Sequence, residues 1–160
     1  MRGRRPGWPS SWTGTAGGAR ELSDGPSRLV RYLDVVVAPA LHLVKGDLAA
    51  RLEEAARRGA SVLVTALSGR ADEDDNAFLA DVPGPLAPLL GIRIDEWDAR
   101  PPDVVNPVLL GTGPDAVQVA ARLVFELVLP RGAETVGTYQ EDFYAGTPAV
   151  TRHRFGTGEG

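Results

Sequence analysis

The fold of this chain is decided by residues 47–66, which read DLAARLEEAARRGASVLVTA. The first part of this stretch places apolar residues on one face of a helix: Leu48, Leu52, Ala55 and Ala56. The helix is predicted to end at Gly59, since glycine adopts the backbone conformation that closes a helix. Residues 61–66 then form a short apolar, β-branched run of the kind that makes a buried strand. The stretch therefore predicts a helix followed by a strand.

A second apolar run precedes the helix. Residues 33–39 read LDVVVAP, and the closing proline favours a strand that ends there. Strand, helix and strand in this order predict a βαβ unit, in which a right-handed crossover joins two parallel strands. An α/β fold is the consequence.

Composition bounds the classes of function. The chain has 160 residues, 43% of them hydrophobic, which suits one domain with a sizeable core. Its net charge of -4 argues against a nucleic-acid partner, and no apolar run approaches the ~18 residues of a membrane helix. There is no cysteine, which excludes disulfides and fits a cytoplasmic protein. Residues 1–28 are rich in Gly, Pro, Ser and Arg without periodicity, so we expect a disordered or non-homologous leader before a domain at 29–160.

The second half of the chain reads differently from the βαβ unit. Four segments show alternating or β-branched patterns typical of strands: residues 92–97, 104–110, 122–127 and 135–139, followed by a fifth at 149–155. We therefore expect antiparallel strands attached to the α/β start.

One loop offers an alternative function. Gly111-Thr112-Gly113-Pro114-Asp115-Ala116 resembles the G-x-G-x-x-A pattern of dinucleotide sites. The chemistry requires a helix that starts at Pro114 and turns its free N–H groups towards a pyrophosphate. Residues 117–121 permit such a helix, although the residues after them alternate like a strand. A small nucleotide- or ligand-binding domain that uses the loop Gly111–Ala116 is thus the alternative to an ordinary loop.

Other polar groups do not form a recognisable catalytic or metal site. The acidic loop at residues 72–76 lacks the glycine and glutamate of a calcium-binding loop. Ser68 lacks the leading glycine of a nucleophile elbow, and neither His42 nor His153 has an evident serine partner. Neighbouring carboxylates at 53–54 and 95–96 point apart, so they cannot flank a glycosidic bond. We therefore assign no catalytic, cofactor-binding or metal-binding residue and expect no cofactor.

Large aromatic residues suggest a contact surface. Trp97, Phe143 and Tyr144 lie outside the leader, and rings of this size anchor protein interfaces. Ordinary core packing is the other interpretation, since such rings also bury much area in a core.

Three stretches carry a resemblance to a known family. The first is Asp34-Val35-Val36-Val37-Ala38-Pro39-Ala40-Leu41-His42-Leu43. The second contains Thr65-Ala66-Leu67-Ser68-Gly69 and Pro83-Gly84-Pro85-Leu86. The third, and the most specific, is Asp142-Phe143-Tyr144-Ala145-Gly146-Thr147-Pro148-Ala149-Val150-Thr151-Arg152. In their order and spacing these resemble the middle, trimerisation domain of glycoside hydrolase family 42 β-galactosidases.

The resemblance implies a flavodoxin-like, or class I glutamine amidotransferase-like, parallel sheet with added antiparallel strands. It implies a non-catalytic oligomerisation module, truncated at both ends, whose partners are two further copies and a β-galactosidase catalytic barrel. The family hydrolyses terminal β-galactosides with retention, through two glutamates on that barrel. The chain is too short to include such a barrel, which needs ~250 residues, so we expect it to be inactive alone.

Overall fold

A computed structural model describes residues 35–78 and 82–156, together with the backbone of residues 158 and 159. The leader predicted at residues 1–28 lies outside the described residues. The βαβ unit is present as the sequence indicates. Strand β1 spans Val35–Ala38, helix α1 spans Leu48–Arg57 and strand β2 spans Ser61–Val64. The two strands pair in parallel, and Val36 lies opposite Val62.

The chain does not repeat this unit after β2. A long connection leads to a 3-10 turn at Gly84–Leu86 and to the four-residue helix α2, Ala87–Leu90. Gly91 ends α2 in the left-handed conformation, with φ at 61°. A helix of one turn is too short to return the chain directly to the parallel strands, so a second βαβ unit does not follow β2.

Antiparallel strands make up most of the rest. Strand β3, Ile92–Ala99, pairs with β6, Val124–Pro130, in a two-stranded ribbon. A separate four-stranded sheet has the order β5-β4-β7-β8. Its strands are β4, Val105–Leu110; β5, Val117–Arg122; β7, Glu134–Tyr139; and β8, Pro148–Arg152. Each of its pairings is antiparallel.

The end of the chain returns to the first sheet. Strand β9, Arg154–Phe155, and strand β10, Gly158–Glu159, complete the order β1-β2-β10-β9. Strand β10 runs parallel to β2, with Glu159 opposite Ser61, and antiparallel to β9. The first sheet is therefore mixed.

The predicted fold class was wrong. The sequence was expected to form a flavodoxin-like or amidotransferase-like parallel sheet, but among the strands of the described chain parallel pairing is confined to β1, β2 and β10. The remaining pairs are antiparallel, because one crossover helix is all that the described chain supplies. The predicted helical alternative for residues 117–121 was also wrong, since these residues form β5. The expected antiparallel additions are thus the larger part of the architecture.

Two apolar clusters stabilise these sheets. The first packs α1 and the turn before β3 onto the parallel strands, and its buried members are Val44, Leu52, Ala56, Val62, Leu86, Leu89 and Leu90. The second lies on the antiparallel side and consists of Val108, Phe125, Tyr139 and Tyr144. Among the described residues, no helix is long and apolar enough to span a lipid bilayer.

Candidate functional site

The serine and histidine candidates have structural roles. Ser68 is buried, and its hydroxyl accepts the N–H of Leu41 at 2.9 Å while donating to the carbonyl of Thr65 at 2.7 Å. A hydroxyl used in this way fixes the turn after β2. The Nδ1 atom of His153 lies 2.9 Å from the carbonyl oxygen of Leu89, so it carries the proton in this contact. His153 thereby closes the end of α2.

The loop Gly111–Ala116 lacks the helix that a dinucleotide site requires. Residues Gly113–Asp115 form a single 3-10 turn, and the chain enters β5 at Val117. The free N–H groups of a helix start are therefore missing from this position. The loop is the hairpin connection between β4 and β5, which pair from Leu110 opposite Val117 onwards.

The carboxylate of Asp72 in the acidic loop forms hydrogen bonds within that loop. The Asp72 carboxylate accepts the backbone N–H groups of Asp74 and Asn76, both at 2.9 Å. These hydrogen bonds, that from Asn76 above all, lower the pKa of Asp72. Within residues 35–78 and 82–156, no group of three or more histidine and carboxylate side chains is placed to hold a metal ion.

A cluster of three rings supports the turn that contains Phe143. The ring of Phe125 contacts Tyr139 edge-on and stacks on Tyr144, with 5.9 Å between ring centres in each pair. Tyr139 also contacts Tyr144 edge-on at 5.1 Å. Tyr144 is buried, and its hydroxyl donates to Asp98 at 3.3 Å. Phe143 then packs edge-on against Tyr144 at 4.8 Å, yet 72% of its surface is exposed. The buried aromatic cluster therefore supports Phe143, whose ring faces solvent.

The chemistry of these phenols follows from burial. Desolvation raises the pKa of Tyr139 from its ordinary value of 10.0 to about 12. Desolvation also raises the pKa of Tyr144, and the carboxylates of Asp98 and Asp142 add to that effect. Both groups are therefore neutral near pH 7 and act as packing and hydrogen-bonding groups.

Trp97 covers a buried ion pair. The guanidinium of Arg70 lies 5.0 Å from the centre of the Trp97 ring and 2.7 Å from the carboxylate of Glu126. Glu126 also accepts the N–H of Leu67 at 3.0 Å. The indole is 52% exposed, so its outer face remains open to solvent. The inner face of the Trp97 ring thus shields the ion pair from solvent, and its outer face is available for contact with another molecule.

The structure brings together two of the three predicted interface residues. Phe143 and Tyr144 are in contact, but Tyr144 is buried, so it can serve a surface only by holding Phe143. Trp97 lies beside Asp98 on β3, and alternation along a strand directs these two side chains to opposite faces. Because Asp98 bonds to Tyr144, Trp97 faces away from the aromatic cluster.

Sequence reasoning missed a group of residues around Arg100. Its backbone N–H donates to the carbonyl of Leu123 at 2.9 Å, and its guanidinium lies 2.8 Å from Asp142. Leu123 lies within the segment 122–127 that was predicted to be a strand, but it precedes β6 with φ at 74° and is exposed. The arginine alone gave no sequence signal, because its partners lie 23 and 42 residues further along the chain.

Comparison with known proteins identifies the family. The model of the β-galactosidase trimerisation domain matches residues 25–160, so this chain belongs to that family. Clostridium perfringens β-galactosidase Pbg is 40% identical over 128 residues, which are 78% of this chain and 19% of the relative. β-Galactosidase BgaA of Planococcus sp. strain 'SOS Orange' is 38% identical over 183 residues, covering 95% of this chain and 26% of the relative.

Solved structures agree with this assignment. The β-galactosidase from Rahnella sp. R3 aligns with a TM-score of 0.74 and 35% identity, over 79% of this chain and 19% of that one. The β-galactosidase from Bacillus circulans sp. alkalophilus aligns with a TM-score of 0.75 and 32% identity, over the same shares. The chain therefore has the fold of a non-catalytic, trimerisation module, and it spans 19% to 26% of the length of these relatives.

Proposed function

We propose that this protein assembles into a trimer and serves as the assembly module of a β-galactosidase that hydrolyses terminal β-galactosides. The observation that carries the proposal is the match of residues 25–160 to a trimerisation domain. The proposal includes a catalytic barrel as the partner that supplies the chemistry, and a cytoplasmic location, which the lack of cysteine favours.

The contact surfaces in this proposal contain Trp97 on one face of β3 and Phe143 beside the aromatic cluster, with Tyr144 as the residue that positions Phe143. Two properties support the choice. Both rings are more than half exposed, and each is held by a buried neighbour, Arg70 for Trp97 and Tyr144 for Phe143. Aromatic groups that are fixed before binding lose little conformational entropy when a partner covers them.

Sedimentation velocity of the 160-residue protein over a hundredfold range of concentration tests the assembly. We expect a reversible species of three chains, each of 16.9 kDa. A protein that stays monomeric or forms only a dimer contradicts the proposal. Replacing Phe143 with serine should shift the distribution towards monomer, whereas Phe155→Ser, in the other cluster, serves as a control for general loss of folding.

An assay with a chromogenic β-galactoside tests whether this chain is catalytically inactive without the proposed barrel. We expect no turnover by this chain alone, because the acid/base and nucleophile belong to the proposed barrel. Turnover that co-purifies with the chain and is lost on immunodepletion of the chain would contradict the assignment of a separate catalytic partner.

A further inference from the structure

Two exposed apolar residues are joined through one arginine. Leu123 is 54% exposed and Phe143 is 72% exposed. Arg100 links them, since its N–H bonds to the Leu123 carbonyl and its guanidinium pairs with Asp142, the residue before Phe143. We define Leu123, Arg100, Asp142 and Phe143 as the Arg100 patch.

Two residues of this patch have a strained backbone. Leu123 has φ at 74° and Asp142 has φ at 68°, which is a backbone region that residues other than glycine rarely occupy. Asp142 is partly compensated, because its carboxylate accepts the N–H of Phe143 at 2.8 Å. Leu123 has no such compensation, since its side chain is exposed and makes no polar contact. A strained leucine that is not buried within its own chain points to a contact outside it.

The charges of the patch are already paired. Arg100 lies between Asp142, at 2.8 Å, and Asp98, at 3.6 Å. Covering the patch would therefore not leave an isolated charge without a partner, which is the main cost of burying ionic groups at an interface. The apolar side chains of Leu123 and Phe143 remain as the groups that gain most from burial.

We infer that the Arg100 patch is a contact between copies of this chain, with Leu123 as a principal anchor beside Phe143. The inference rests on the proposed trimer, because the trimerisation family indicates a second copy as the occupant. In a ring of three, each patch meets a different surface of the next copy, so one substitution weakens all three contacts.

Leu123→Asn tests the inference without relying on loss of fold. Asparagine tolerates the left-handed conformation better than leucine, so the variant monomer should be as stable to heat as the wild type or more so. The same variant should raise the dissociation constant of the trimer by about tenfold or more, which is typical for an interface anchor. Thermal midpoints are measured at a dilution where both proteins are monomeric, and assembly is measured by sedimentation.

Leu63→Asn is the matched control. Leu63 is also a leucine with 54% exposure, but it lies within β2, where asparagine is unfavourable. We expect this variant to melt at a lower temperature and to keep the trimer. A trimer that survives Leu123→Asn, or one that is lost in Leu63→Asn instead, overturns the inference while the proposed function stands. A wild-type protein that never forms a trimer rejects both.

Discussion

The ion pair between Arg70 and Glu126 joins the loop after β2 to strand β6 across 56 residues of sequence. Both side chains are largely buried, and Glu126 also receives the N–H of Leu67, whose φ is 67°. The contact therefore stabilises the strained turn at Leu67 and links the loop after β2 to the β3–β6 ribbon. It is also the support beneath Trp97.

Arg70→Ala should lower the free energy of unfolding by about 3–5 kcal/mol, because it leaves the Glu126 carboxylate buried without its partner. Arg93→Ala is the control. Arg93 pairs with Asp95 at 2.6 Å, but both side chains are exposed, so the loss should stay below about 1 kcal/mol. Urea unfolding of the two variants provides the comparison. Equal losses would show that the buried pair contributes no more than a surface pair.

The turn after β2 depends on a close backbone approach at Gly69. Gly69 has φ at +63°, and a Cβ atom added there would overlap the carbonyl oxygen of Pro83. Gly69→Ala should therefore cost more than about 3 kcal/mol or prevent folding. At Gly46, φ is +50° and no atom lies near the added Cβ, so Gly46→Ala should cost only about 1 kcal/mol of backbone strain. Thermal unfolding with circular dichroism distinguishes the two. A Gly69→Ala variant as stable as Gly46→Ala would refute the close approach.

The aromatic turn depends on one buried amide. Asn106 donates to the carbonyl of Glu141 at 2.8 Å, and its Oδ1 accepts the N–H groups of Gln140 and Glu141 at 3.3 and 3.2 Å. Asn106→Ala removes the partner of the Glu141 carbonyl and N–H, while the Gln140 N–H still donates to the Pro107 carbonyl at 2.9 Å. The loss should cost about 2–3 kcal/mol. It should also accelerate hydrogen exchange of the Glu141 amide.

Gln140→Ala is the control for that experiment. The Gln140 side chain is exposed and bonds mainly to its own strand, at Thr138. Its removal should change stability by less than about 0.5 kcal/mol. If Asn106→Ala is no worse than Gln140→Ala, the turn that presents Phe143 does not depend on the buried amide.

The sequence was most informative where local chemistry decides structure. The predicted helix ended at Gly59 and is observed as Leu48–Arg57, and the two flanking strands are within two residues of their predicted bounds at each end. The predicted fold class was wrong because the family resemblance and this one βαβ unit were used to assign a parallel sheet to the whole chain. Whether a second βαβ unit follows depends on the length of α2, which ends at Gly91 after a single turn.

Local patterns also left β5 undetermined. The residues Val117-Gln118-Val119-Ala120-Ala121 suit a helix as well as a strand, and pairing with β4 decides the outcome. The sequence did not distinguish the buried Tyr144 from the exposed Trp97 and Phe143. The roles of Arg70, Arg100 and Leu123 likewise depend on contacts between distant segments. No periodicity in one sequence encodes such contacts.

Stability at high pH should depend on Tyr139. Its folded pKa of about 12 lies above the value of 10.0 expected in the unfolded chain, because burial disfavours the phenolate. Between these values the unfolded chain releases the proton while the folded chain retains it, so the unfolded state binds fewer protons and stability falls as pH rises from about 10 to 12. Tyr139→Phe removes this titration and should flatten the decline in thermal midpoint over that range. Its effect at pH 7 should be small, since the hydroxyl lies 3.5 Å from its acceptor, the carbonyl of Glu126. Absorbance at 295 nm follows the phenolate directly, and a wild-type titration complete below pH 11 would place Tyr139 outside the core.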